Sequence, residues 1–131
     1  MSEKMLIMLA TIKNGYLSKL DKVCVPYSEN NLKILMLLYK DGFINGYYFN
    51  NTSIGRKDIV VVLKYYRNIY LFNYKILSKP GRLISCTLPF LYKKYHAHKF
   101  VMLSTTQGFL WLKDAFRLGL GGTALFVLYL R

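Results

Sequence analysis

The chain has 131 residues, of which 53% are hydrophobic; that is enough to bury a core but short for two large domains, so one compact unit or two small lobes are expected. Against 19 lysines and arginines stand only 6 aspartates and glutamates, a formal net charge of +13, and so one-sided a balance is tolerated most readily beside a polyanion such as nucleic acid or an anionic membrane surface. A membrane-spanning helix is excluded by length, because the longest apolar run, residues 124–130, falls far short of the ~20 residues a span needs.

The first residues do not read as a secretory or transit peptide, since arginine is absent and helical periodicity begins at once. Met5, Met8, Leu9, Ile12, Tyr16 and Leu20 recur at helical spacing and predict the inward face of a first helix, with Lys4, Lys13 and Lys19 on other faces. "KVCVP", residues 22–26, predicts a short strand closed by Pro26. Ser28 is the expected N-cap of a second helix that turns Leu32, Leu35, Met36 and Tyr39 inward and stops at Asp41-Gly42. "FINGYYF" and "DIVVVLKYY", joined by the polar "NNTSIGRK", predict a hairpin by their β-branched and aromatic content.

From Ile69 the texture changes. "IYLFNYKIL", "LISCTL" and "KFVMLS" are short strand candidates separated by turn signals; in "SKPGR" the proline presets the first central position of a turn and the glycine accepts the second. One short helix, about Leu112 to Leu118, is expected before a last strand, "TALFVLYLR", with Gly121-Gly122 admitting a tight turn between them. The fold class is therefore α+β: an N-terminal α-β-α-β-β lobe, residues 1–74, and a mainly antiparallel β C-terminal lobe with one short helix, residues 75–131.

Between Asp58 and Asp114 no residue is acidic, while Lys64, Arg67, Lys75, Lys79, Arg82, Lys93, Lys94, Lys99 and Lys113 are cationic. Cys24 and Cys86, far apart and outside any Cys-x-x-Cys spacing, suit buried thiols in a reducing compartment. His96 and His98 would share a face on a strand, but Lys93, Lys94 and Lys99 repel a cation there, so no metal is expected. The carboxylates form no adjacent pair, no Gly-x-Ser-x-Gly elbow occurs, and "GLGG" lacks the Lys-Ser/Thr of a phosphate loop; neither an enzyme nor a cofactor is expected.

"MLSTTQG", residues 102–108, ends a strand-like run on uncharged hydrogen-bonding side chains instead of the lysine or glutamate that solvation alone would favour. On the residues alone it reads as a Ser/Thr-rich turn or an N-cap for the following helix, or as a probe for close-range hydrogen bonding.

"LKYY" at 63–66, "SKPGR" at 78–82, "LST" with Gly108 at 103–108 and "GLGG" at 119–122 stand in the order and spacing of the small-subunit ribosomal protein eight family, which the chain resembles over almost its whole length. "IKNG" at 12–15, "VP" at 25–26 and "DGFI" at 41–44 extend the likeness to the front half. The resemblance implies a two-lobed, non-catalytic constituent of the small ribosomal subunit that binds the central domain of its rRNA beside neighbouring small-subunit proteins. It departs from the family pattern at Thr11, where arginine is customary, at Ser85, where tyrosine is, at Gln107, where lysine precedes the loop glycine, at Trp111-Leu112, where Thr-Asp caps the short helix, and at "HAHK", where a glycine-rich connector stands.

With that resemblance, Ser104, Thr105, Thr106, Gln107 and Gly108 become candidates for minor-groove contact, where a narrow probe must donate and accept hydrogen bonds to 2′-hydroxyls and base edges. Ser78, Lys79, Pro80, Gly81, Arg82, Lys93, Lys94, Lys99, Gly121 and Gly122 complete the expected RNA-binding set, its cations holding phosphates without reading sequence. The alternative function class is a basic peripheral membrane-surface protein, which needs a basic amphipathic helix with a large apolar face, or another nucleic-acid-binding protein. Abundant Tyr, Phe, Ile, Asn and Lys, as in coding from an AT-rich genome, favours a mitochondrial ribosome over a plastid or bacterial one.

Overall fold

The computed structural model describes residues 3–51, 57–65, 72–77, 84–86 and 100–130. The chain divides into two compact units, Ser2–Phe72 and Asn73–Leu130, and its architecture is α+β as expected.

In the first unit, α1 (Glu3–Leu17) and α2 (Glu29–Lys40) cover one face of an antiparallel sheet of β1 (Lys22–Pro26), β2 (Ile44–Asn51) and β3 (Lys57–Leu63), in the order β1-β3-β2. Met5, Met8, Leu9, Ile12 and Tyr16 are buried on α1 at the expected spacing, and α1 packs on β1 and β3, where Val23, Val25, Ile59, Val61 and Leu63 are buried. The expectation for Leu20 fails: α1 ends at Leu17, Lys19 turns left-handed at φ 55°, and Leu20, half exposed, gives its N–H back to Gly15 O at 2.9 Å. Asn14-Gly15 does not interrupt the helix, because Gly15 is buried where a Cβ would collide with Val23 Cγ1 and lie 3.0 Å from Leu63 Cδ1.

Ser28 caps α2 as expected, its Oγ accepting the Asn31 N–H at 3.0 Å, and Asp41 closes the helix before Gly42. The inward face is rotated from the one expected. Asn31, Ile34, Leu35 and Leu38 are buried, while Met36 and Tyr39 are more than half exposed. The rotation follows from Asn31, whose buried Nδ2 donates to Lys4 O at 3.1 Å and Pro26 O at 2.9 Å, linking α2 to the first turn of α1 and the end of β1. Tyr16 makes a second polar tie, donating to Phe43 O at 2.7 Å and accepting Lys64 N–H at 3.1 Å. Cys24 is exposed, not buried as expected: β1 alternates, Val23 and Val25 face the helices, and the residue between them faces away.

In the second unit, β4 (Phe72–Ile76) and β5 (Ile84–Cys86) both pair with β8 (Gly122–Leu130), and β6 (Phe100–Thr105) and β7 (Gly108–Trp111) continue the sheet on its other side in the order β8-β6-β7. The short helix is α3 (Leu112–Leu118), at the bounds expected. Val101 and Leu103 of β6, Ala124 and Val127 of β8, and Leu112 and Ala115 of α3 form the buried cluster between sheet and helix. The turn after α3 is made by Gly119, at φ 72°, and not by Gly121-Gly122; Gly122 already belongs to β8.

Candidate nucleic-acid interface

Strand β7 was not expected from the sequence, and it changes what "STTQG" is. Thr105 pairs with Gly108, Ser104 with Phe109, Leu103 with Leu110 and Met102 with Trp111, so the segment is the tip of a β6–β7 hairpin with Thr106 and Gln107 as its two-residue loop. The N-cap expectation is overturned: the N-cap of α3 is Trp111, which makes no side-chain capping bond. An indole has no side-chain acceptor for an orphan helix N–H, consistent with Trp111-Leu112 standing where a Thr-Asp cap is usual.

Alternation along β6 assigns the tip side chains to faces. Val101 and Leu103 face α3, so Thr105 continues that face, while Ser104 continues the face of Phe100 and Met102 and lies in register with Phe109 on one side and Thr123 on the other. Ser104 and Thr105 are half-buried, and Thr106 and Gln107 are exposed. The turn is held by one hydroxyl: Thr105 Oγ1 donates to Gly108 O at 2.7 Å and accepts Gln107 N–H at 3.2 Å. Gly108 sits at φ 100°, a region that favours glycine.

Two features support the tip from beneath. The β6–β8 register shifts between Met102 and Leu103, leaving Leu125 as the extra residue of a bulge whose carbonyl accepts Leu77 N–H at 2.9 Å. Gly122 packs on the backbone of Ser104 so closely that a Cβ there would run into Ser104 O and lie 3.0 Å from Ser104 C. Ser104, Thr105, Gly108 and Gly122 are thus brought together, and Gly121 leads into β8. Ser78, Lys79, Pro80, Gly81, Arg82, Lys93, Lys94 and Lys99, together with His96 and His98, lie outside the described residues.

Among the described residues of this unit the cations are Lys75, Lys113 and Arg117, all exposed; Arg117 meets Asp114 at 3.2 Å across one helical turn, an exposed pair of little energetic weight. No group of three His, Cys, Asp or Glu able to hold a metal occurs among the described residues.

The first unit carries a cluster that sequence reasoning missed. Lys57 Nζ lies 4.8 Å from the ring centroid of Tyr27 and 4.7 Å from that of Phe49, beside a groove of about 620 Å³ lined by Glu3, Lys4, Ile7, Pro26, Tyr27, Lys57 and Asp58. Positions 27, 49 and 57 share no local pattern; the β2–β3 register and the end of β1 bring them together. Thr11, at the position where arginine is customary, donates its hydroxyl to Ile7 O at 2.7 Å within α1.

A model of the ribosomal protein S8 family matches residues 4–129 of this chain. Small ribosomal subunit protein uS8 of Mycoplasmopsis pulmonis is 34% identical to it over 116 residues, covering 88% of this chain and 87% of that protein. The uS8 proteins of Orientia tsutsugamushi and Ehrlichia ruminantium are 32% identical over 126 residues (93% of each chain) and 33% identical over 118 residues (89% of each). With the family pattern matched from the first turn of α1 to the end of β8, the chain belongs to the ribosomal protein S8 family, a family of structural proteins and not of enzymes.

Proposed function

We propose that this protein is a structural constituent of the small ribosomal subunit that binds the central domain of small-subunit rRNA through its C-terminal lobe, residues 75–131, beside neighbouring small-subunit proteins. The observation that carries this reading is the β6–β7 hairpin, which offers Ser104, Thr105, Thr106, Gln107 and Gly108 at the end of a paired strand with one face anchored on α3. Uncharged side chains that both donate and accept, on a support narrow enough for a shallow minor groove, suit 2′-hydroxyls and base edges. The excess of cations supplies the phosphate attraction, with Ser78, Lys79, Pro80, Gly81, Arg82, Lys93, Lys94 and Lys99 as its proposed phosphate-facing part. A membrane-surface role is disfavoured by α1, whose apolar face is already packed on the sheet.

The test is filter binding of the purified protein to a central-domain rRNA fragment and to a scrambled RNA, across salt. Affinity for the cognate fragment should fall on the order of 10³-fold between 50 and 200 mM salt if about six phosphates are neutralised. Equal binding of both RNAs at every salt concentration would refute the reading. On composition alone we place the ribosome in a mitochondrion, with plastid and bacterial cytoplasm as the alternatives; the compared relatives are bacterial, and fractionation of the source cell decides among the three.

A further inference from the structure

We infer that the groove of the first unit, where the first two turns of α1 meet the end of the β1-β3-β2 sheet, is a docking site for a lysine- or arginine-bearing segment of a neighbouring protein, an inference that rests on the chain being the small-subunit constituent proposed above. The groove of about 620 Å³ has Glu3, Lys4 and Ile7 on its helical wall and Tyr27, Lys57 and Asp58 on the other. Its charge sets it apart. Over the chain 19 lysines and arginines stand against 6 acidic residues, but this groove holds two of each. Both cations are engaged by its own walls: Lys4 Nζ donates to Tyr27 O at 3.2 Å, and Lys57 Nζ lies 4.8 Å and 4.7 Å from the ring centroids of Tyr27 and Phe49. Among the described residues neither Glu3 nor Asp58 forms an ion pair. The charge left for a guest is therefore negative, which repels a phosphate and attracts a cation.

Ile7, 50% exposed, adds an apolar surface along which the aliphatic stem of a lysine or arginine can lie while its head reaches a carboxylate. The walls are fixed in advance, because buried Asn31 donates to Lys4 O at 3.1 Å and to Pro26 O at 2.9 Å and so ties the first turn of α1 to the end of β1. A preformed groove spares the guest the cost of ordering it. The partner's chemistry follows from the polyanion both would share: a second protein held on the same rRNA needs cations of its own. Where such a segment meets this chain, a surface of net charge +13 repels it, and the two unpaired carboxylates receive it.

The experiment replaces Ile7 by the photo-cross-linker p-benzoylphenylalanine, incorporates the protein into small subunits of the source cell, irradiates them, and identifies the adduct by peptide mass spectrometry. The adduct should be a segment of another small-subunit protein with a lysine or arginine within a few residues of the cross-link. Glu3→Gln with Asp58→Asn in the same chain should lower its yield roughly three- to tenfold, the size expected of two exposed ion pairs, and leave affinity for the central-domain rRNA fragment unchanged. Glu3→Asp with Asp58→Glu, which keeps both charges, should retain most of the yield. An adduct with rRNA, with this chain itself or with a segment lacking cations would overturn the inference, as would no adduct in assembled subunits. So would equal yields in the parent and the double amide variant, or an equal loss in the charge-retaining one. A protein that fails to enter small subunits at all would overturn the small-subunit reading, and the inference with it.

Discussion

Replacing Gly122 by alanine adds one methyl group at the place where β8 passes beneath the hairpin tip. The new Cβ would overlap Ser104 O, lie 3.0 Å from Ser104 C and 3.1 Å from Thr105 Cγ2, whereas carbon atoms rest at about 3.5–4.0 Å. Two of the three obstructing atoms are backbone, so no rotamer change relieves the overlap. β6 and β8 must instead separate by on the order of 1 Å at the Ser104–Thr123 pair. Overpacking of this kind costs about 1–3 kcal/mol, and weakening an adjacent ladder bond adds about 1 kcal/mol, giving roughly 2–4 kcal/mol. For a chain of this length that is a fall in Tm of about 10 °C. Gly119→Ala is the control: it lies in open space at φ 72°, so it suffers backbone strain of about 1–2 kcal/mol without displacing a strand. Thermal melting by circular dichroism, with rRNA-fragment binding measured well below Tm, separates the two. Gly122→Ala should lose both stability and affinity, and Gly119→Ala stability alone. Gly122→Ala melting within 1–2 °C of the parent and binding equally well would refute the argument from close approach.

Asn31→Ala removes both donors that link α2 to Lys4 O and Pro26 O and should lower stability by about 2 kcal/mol in urea denaturation, with rRNA affinity of the folded protein unchanged. Tyr65, whose hydroxyl donates to Leu20 O at 2.7 Å, has its pKa raised above the ordinary 10.0 by burial first and by the charge of Asp21 second. The neutral phenol is thus favoured in the fold: its contribution is complete below pH 10, declines as the unfolded chain ionises, and is lost as pH rises through the raised folded value. Urea midpoints followed from pH 8 to 11 should fall less steeply in Tyr65→Phe, while Tyr74, raised by burial, keeps its share of the decline. Cys24, exposed on β1, should react with a thiol reagent in the native state without change in Tm, and a slow reaction matching global unfolding would contradict its placement.

The elements with strong local signals were legible. Ser28 announces α2, Pro26 marks the end of β1, and the β-branched run 59–62 announces β3. What was misread depends on partners distant in sequence. The inward face of α2 was displaced because Asn31 counts as polar until its two backbone acceptors are known. β7 escaped notice because "GFLW" is short and runs straight into a helix, and only its pairing with β6 makes it a strand. At the candidate site the chemistry of the tip was visible in its composition. The different settings of Ser104 and Thr105 were not, since alternation and a bond across the loop, not residue type, divide them.

The central place of β8 bears on how the protein is made. A ribosome delivers the chain from its N-terminus, and β1, β2 and β3 can close their sheet once Leu63 has emerged. β4, β5 and β6 precede the strand with which all three pair, so each carries unpaired backbone groups until Gly122–Leu130 follows. The first unit thus matures early during synthesis, and the second waits as exposed strand edges, the interval in which a chaperone would find its substrate.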